Sequence, residues 1–208
     1  MDSGLCATPA YDPLKLLNAW QTLAFESATL GKLDTYQYDI VNIGRQVLAN
    51  LSNSFFEAIL SAYKKQDAKA LHEASVKFTE LIKDMNQLLA TREEFLLGRW
   101  LTSAREWAID VKERRHLEWN ARNQITLWGP RLSPLHEYAN KQWAGLLNGF
   151  YLPRWQMFLE RLEVSLKDQT PFDAEAFKQD VTASEELWTH LNTAYPAKPH
   201  GDPVETTR

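Results

Sequence analysis

"IVNIGRQVLANLSNSFFEAILSA", residues 40–62, decides how the rest of the chain is read. Its apolar side chains Ile40, Ile43, Val47, Leu51, Phe55, Ile59 and Ala62 recur every three or four residues. That spacing gathers them on one face of a helix; a strand would alternate them between two faces. The same rhythm continues on both sides. Upstream, Asp12-Pro13 joins a capping carboxylate to a residue tolerated at the first helical position, and Leu16, Trp20 and Leu23 follow on one face. Gly31 separates the two segments. Downstream, Asp67 opens a third helix striped by Leu71, Ala74, Phe78, Leu81, Met85 and Leu88.

A fourth helix is expected from near Arg92, with Leu97, Trp100, Ala104, Trp107 and Val111 as its apolar stripe. Its outer face, with Glu106, Asp110, Lys112, Glu113, Arg114 and Arg115, reads as solvated. The pattern then breaks at "ITLWGPRLSPLHEYANKQWAG", residues 125–145. "ITLW" reads as a short extended link, Gly129-Pro130 stops any helix, and Ser133-Pro134 starts a fifth. That fifth helix carries Tyr138, Ala139, Trp143, Leu146 and Phe150. Pro153 is expected to kink or break it before Trp155, Phe158, Leu162 and Leu166 resume the stripe. A last helix begins at Thr170-Pro171 or at Asp173, and Pro196 and Pro199 close it. The fold class expected is all-α, a bundle of six or seven helices with one irregular Trp-Gly-Pro link. Residues 1–10 read as a disordered tail, 11–200 as one helical domain and 201–208 as a frayed end.

Composition narrows the functions available. With 208 residues, 44% hydrophobic and 24% charged, the chain can bury a sizeable core. Its net charge is −4, with basic and acidic residues interleaved, so no basic stripe offers itself to nucleic acid. No apolar run approaches the roughly 18 residues that cross a bilayer, and no signal peptide is recognisable, so neither a membrane nor a compartment is assigned. A single cysteine, Cys6, excludes an internal disulfide, and one Cys with five scattered His builds no four-ligand metal site. Eight tryptophans are many for this length. They serve either a core of large side chains or stacking against sugar rings, and composition does not choose.

A search for chemistry finds fragments only. The glycines never take phosphate-loop spacing, so no cofactor is expected. His72-Glu73 lacks the second histidine of a zinc-protease motif. Glu93-Glu94 and Glu185-Glu186 are neighbours that point roughly 100° apart on a helix, so they read as solvated faces and not as an acid–nucleophile pair. Gly145 and Gly149 suggest close approach of a neighbouring helix, and the sequon Asn50-Leu51-Ser52 lies mid-helix. No catalytic residue is nominated.

The irregular link nevertheless carries a resemblance. "NQITLWGP" at 123–130 and "EYANKQWAGLLNGFYLPRW" at 137–155 are similar to the C-terminal helical domain of the α-N-acetylglucosaminidases, glycoside hydrolase family 89. The likeness extends through "YDIVNIGRQVL" at 38–48, "FLLGRWL" at 95–101 and "YPAKPHGD" at 195–202, covering roughly residues 11–203. It implies retaining exo-hydrolases that remove terminal α-linked N-acetylglucosamine, in animals from lysosomal heparan sulfate. Their two catalytic glutamates lie on a TIM barrel that precedes the helical domain. The chain is thus expected to begin after that barrel and to stop short of the family's final helix. The barrel, on the same parent protein or a separate chain, becomes the expected partner, together with the terminal N-acetylglucosamine of a glycan. The resemblance matches Trp128, Leu135 and Tyr138 to positions lining the substrate cleft; between Trp128 and Tyr138 this sequence is one residue longer than the family pattern. Gly129-Pro130 is expected to aim Trp128 outward. The apolar surface left for the barrel is expected to include residues 125–138, and copies of the chain to associate through it. A non-catalytic helical interaction or scaffold domain is the alternative.

Overall fold

A computed structural model describes residues 9–131 and 139–207. Among these residues it contains helices α1 (Pro13–Phe25), α2 (Ser27–Leu30), α3 (Asp34–Lys64), α4 (Ala68–Leu89), α5 (Leu97–Glu106), α6 (Val111–Gln124), α7 (Leu152–Asp168), α8 (Ala174–His190) and α9 (Pro203–Thr206). A 3₁₀ turn at Glu93–Phe95 precedes α5, and a π turn at Leu147–Tyr151 leads into α7. The fold is all-α: no strand forms among the described residues, and β pairing is limited to an isolated bridge between Leu96 and Ala144.

The long helices α3 and α4 lie against each other and form the axis of the bundle. The α4 stripe is buried as its spacing requires, with Leu71, Phe78, Leu81, Met85 and Leu88 all inside. From α3, Ile40, Ile59 and Ala62 join them, whereas Leu51 stays exposed. Helix α1 covers α3, α7 covers α4, and α8 packs on both α6 and α7. Among the described residues five aspartates start helices by accepting a backbone N–H, including Asp12 from Leu14, Asp67 from Ala70 and Asp173 from Ala176. The choice left open at the last helix therefore falls to Asp173.

Several boundaries differ from the sequence reading, each for a local reason. The expected fourth helix is two. Residues 107–110 break it, and Asp110 caps α6 by accepting the Glu113 N–H at 2.7 Å while Glu113 accepts the Ile109 N–H at 2.7 Å. That reciprocal pair offers the backbone a better-satisfied end than continuation does. It also leaves Trp107, Ile109 and Val111 exposed, not striped along a core. "ITLW" is a compact turn and not extended, and its Ile125, Thr126 and Leu127 are buried. The described part of the expected fifth helix, residues 139–144, is irregular, because Ala144 exchanges backbone hydrogen bonds with Phe95 and Leu97. At Pro153 the helix continues, since the π turn before it accommodates a residue without an N–H.

The end read as frayed instead closes the bundle. Asp202 caps α9, Val204 is buried beside Gly31, and the His200 N–H donates to Ala90 O at 3.0 Å. Gly145 and Gly149 make room for the Tyr195 ring, not for a neighbouring helix. A Cβ at Gly145, where φ is +89°, would lie 2.8 Å from Tyr195 Cδ1. The sequon asparagine lies within α3, where its side-chain oxygen accepts from Tyr11 and Gln46.

At the α4–α5 junction, Arg92 donates to Asp34 at 2.8 Å and to both Glu94 oxygens at 2.9 and 3.2 Å. The Arg92 hydrogen bonds hold the Glu94 carboxyl below its usual range. A depressed carboxylate stabilises the fold above its unfolded pKa and loses that contribution as pH falls through the folded value. Glu94→Gln is therefore expected to cost less than about 1 kcal/mol at neutral pH, given Glu94's exposure, and nothing in acid. Urea titrations at both pH values measure the difference; an equal cost at both excludes this account.

Candidate functional site

The turn after α6 is closed by the Asn123 side chain. The Asn123 amide binds Gly129 at both ends, its Nδ2 donating to Gly129 O at 3.0 Å and its Oδ1 accepting the Gly129 N–H at 2.7 Å. Its backbone carbonyl accepts the Trp128 N–H at 2.8 Å. Between these bonds Trp128 takes φ +56°, a left-handed conformation that costs a non-glycine residue about 1–2 kcal/mol. The far side of the link is tied to α8, where Arg131 donates to Gln179 O at 3.4 Å and lies 3.8 Å from Glu186.

The bend leaves Trp128 partly exposed. With Trp119, Asn120, Gln124 and Pro130 it lines a groove of about 450 Å³. Trp119 is flanked by His116 and His190, ring centroids 5.6 and 5.9 Å away. The groove thus offers indole rings beside uncharged amides, a combination that suits an apolar ring face edged by hydroxyls. Leu135 and Tyr138 lie outside the described residues.

Glu118 and Arg122 of α6 form a buried ion pair, extended to a triad by the partly exposed Arg105 of α5. Glu118 accepts from Arg122 at 2.8 Å and from Arg105 at 3.0 Å, and Arg122 is wholly buried. Arg122 also donates to Thr193 O at 2.8 Å, with its guanidinium 4.8 Å from the Trp188 ring centre and 5.4 Å from that of Tyr195. One arginine thereby joins α6 to α8 and to the chain that follows it. Thr126 donates to Arg122 O at 2.7 Å, so the turn above is anchored to the same residue.

The sequence reading singled out Trp128 but not Asn123, Trp119 or the triad. Glu118 and Arg122, four apart on one helix, were the available signal for the triad. Of the paired glutamates one needs correction: Glu185 is buried and bonded to Arg154 at 3.0 Å, not solvated, whereas Glu93 and Glu94 are exposed as expected. Among the described residues no three His, Cys, Asp or Glu side chains gather where a metal could bind, and no helix is long and apolar enough to cross a membrane.

Comparison with solved structures places this architecture in the class of family 89 glycoside hydrolases. One from Clostridium perfringens, in complex with PUGNAc, superposes with a TM-score of 0.87 at 28% identity over 96% of this chain and 23% of its own. Another, in complex with its substrate GlcNAc-alpha-1,4-galactose, gives 0.87 at 29% identity with the same coverage. The human Alpha-N-acetylglucosaminidase is 35% identical over 199 residues, 95% of this chain. The chain spans 27% of that relative's length. The family model described as Alpha-N-acetylglucosaminidase (NAGLU) C-terminal domain matches residues 3–208, and the chain belongs to that family.

Proposed function

We propose that this chain forms one wall of the cleft in which an α-N-acetylglucosaminidase removes terminal N-acetylglucosamine from glycans such as heparan sulfate. The observation that carries the reading is Trp128, partly exposed and in a costly backbone conformation beside a groove. Local strain of this kind clusters at sites of function. In this reading the two carboxylates of a retaining mechanism come from a catalytic domain, and Leu135 and Tyr138 complete the wall.

A catalytic domain also supplies a cover for apolar surface this chain leaves open. That surface centres on Trp107, 83% exposed, and Ile109, 90% exposed. In the described part of the link, by contrast, Ile125 and Leu127 are buried. The same exposure favours the second reading, a helical interaction domain or a self-associating chain, if no catalytic domain accompanies it.

Trp128→Ala, in this chain joined to a family catalytic domain, tests the cleft reading. Catalytic efficiency on an aryl α-N-acetylglucosaminide is expected to fall about tenfold or more, on the order of 1.4 kcal/mol. The melting temperature should hold, and Tyr138→Phe should give a milder loss. A core tryptophan would instead cost about 3–5 kcal/mol of stability on truncation. Unfolding, or unchanged activity per folded molecule, rejects Trp128 as a cleft residue.

A further inference from the structure

We infer that Asn123 is the positioning residue of this groove: it sets the placement of Trp128 and, through it, the fit of the sugar. The catalytic consequence rests on the cleft reading of Trp128; the positioning itself does not. Asn123 is 8% exposed, so its amide bonds to Gly129 are made away from competing water. The two bonds run in opposite senses, one donated and one accepted, and only a side chain with both a donor and an acceptor at that length completes them. Trp128 lies in the loop they close, and its own N–H is bound by the Asn123 carbonyl. The backbone that carries the indole is therefore fixed by Asn123, and a left-handed tryptophan lacking these bonds would relax toward an ordinary conformation. A helix end needs no such device, because backbone groups or water satisfy the last carbonyls. Asn123 bonds one particular glycine of the link instead.

Aspartate is the informative replacement. Asn123→Asp keeps the acceptor for the Gly129 N–H but turns the donor into a second acceptor facing Gly129 O. When the carboxyl is protonated, its O–H replaces the lost donor. Burial and the facing carbonyl both disfavour the charged form, so protonation begins above the ordinary carboxylate range. The defect of Asn123→Asp is thus expected to shrink as pH falls, and that of Asn123→Ala to stay constant.

Two measurements test this separately from the cleft reading. In the 208-residue chain, the indole N–H resonance of Trp128 is identified by its loss in Trp128→Ala. It should move in Asn123→Ala and in Asn123→Asp at neutral pH, and return toward its original position only in Asn123→Asp on acidification. An indole resonance indifferent to both substitutions, or a shift without pH recovery in Asn123→Asp, overturns the inference. In the chain joined to a catalytic domain, Asn123→Asp at neutral pH should raise KM about tenfold with a smaller change in kcat. That effect should vanish in a Trp128→Ala background, because a residue acting through Trp128 has nothing left to position. Equal effects in both backgrounds would show Asn123 acting independently of Trp128 and also overturn it. If Trp128→Ala leaves catalysis intact while the indole resonance follows Asn123 as expected, the cleft reading fails and the positioning role stands.

Discussion

Glu118→Leu is expected to destabilise the chain by about 3–5 kcal/mol, because it strips the carboxylate from the triad and leaves Arg122 inside with its charge unmatched. For a chain of this size that is a loss of about 6–20 °C in melting temperature. Arg122→Met should cost less, since Glu118 keeps Arg105 at 3.0 Å and a flexible apolar chain fills part of the space between Trp188 and Tyr195. The order of the two losses is the informative result. Desolvated charge predicts that removing the central carboxylate does more harm; loss of the arginine's ring contacts predicts the reverse. Chemical denaturation of the two variants decides between them, and a Glu118→Leu protein as stable as the parent rejects the triad as a source of stability.

The described chain alone is expected to be helical by circular dichroism and to leave an aryl α-N-acetylglucosaminide uncleaved. A retaining hydrolase needs two carboxylates about 5–5.5 Å apart, one with a raised pKa to serve as acid. The buried carboxylates among the described residues are committed elsewhere: Glu118 to Arg105 and Arg122, and Glu185 to Arg154. Glu94, held down by the Arg92 hydrogen bonds, is moved in the opposite direction from a general acid. The same chain joined to a family catalytic domain should restore turnover. Hydrolysis that follows the isolated chain through purification, and is abolished by a substitution within it, would place the chemistry here and defeat this account.

Helix α4 shows what a sequence makes readable. Its apolar stripe needs no partner to be recognised, and Asp67 marks its start. The break between α5 and α6 was harder, because residues 107–110 contain no Gly or Pro and the apolar spacing runs across them. The readable sign was Asp110 three residues before Glu113, a capping pair hidden within a charged face. "ITLW" failed for another reason. Its β-branched residues favour extension, but the Asn123 and Arg122 bonds fold it into a turn. Glu185 looked solvated because adjacency says nothing about Arg154, 31 residues earlier. At the groove, Trp128 was legible through the family motif, whereas the contribution of Trp119 depends on the turn bringing the link back over α6.

The left-handed backbone at Trp128 has a practical consequence for anyone engineering this domain. Glycine adopts that conformation without steric penalty, and asparagine at little cost. A redesign that ranked substitutions by backbone conformation alone would therefore favour Trp128→Gly or Trp128→Asn, and the resulting protein would lose the indole from its groove. Stability screens applied to this domain should hold position 128 fixed and read any gain there as a warning.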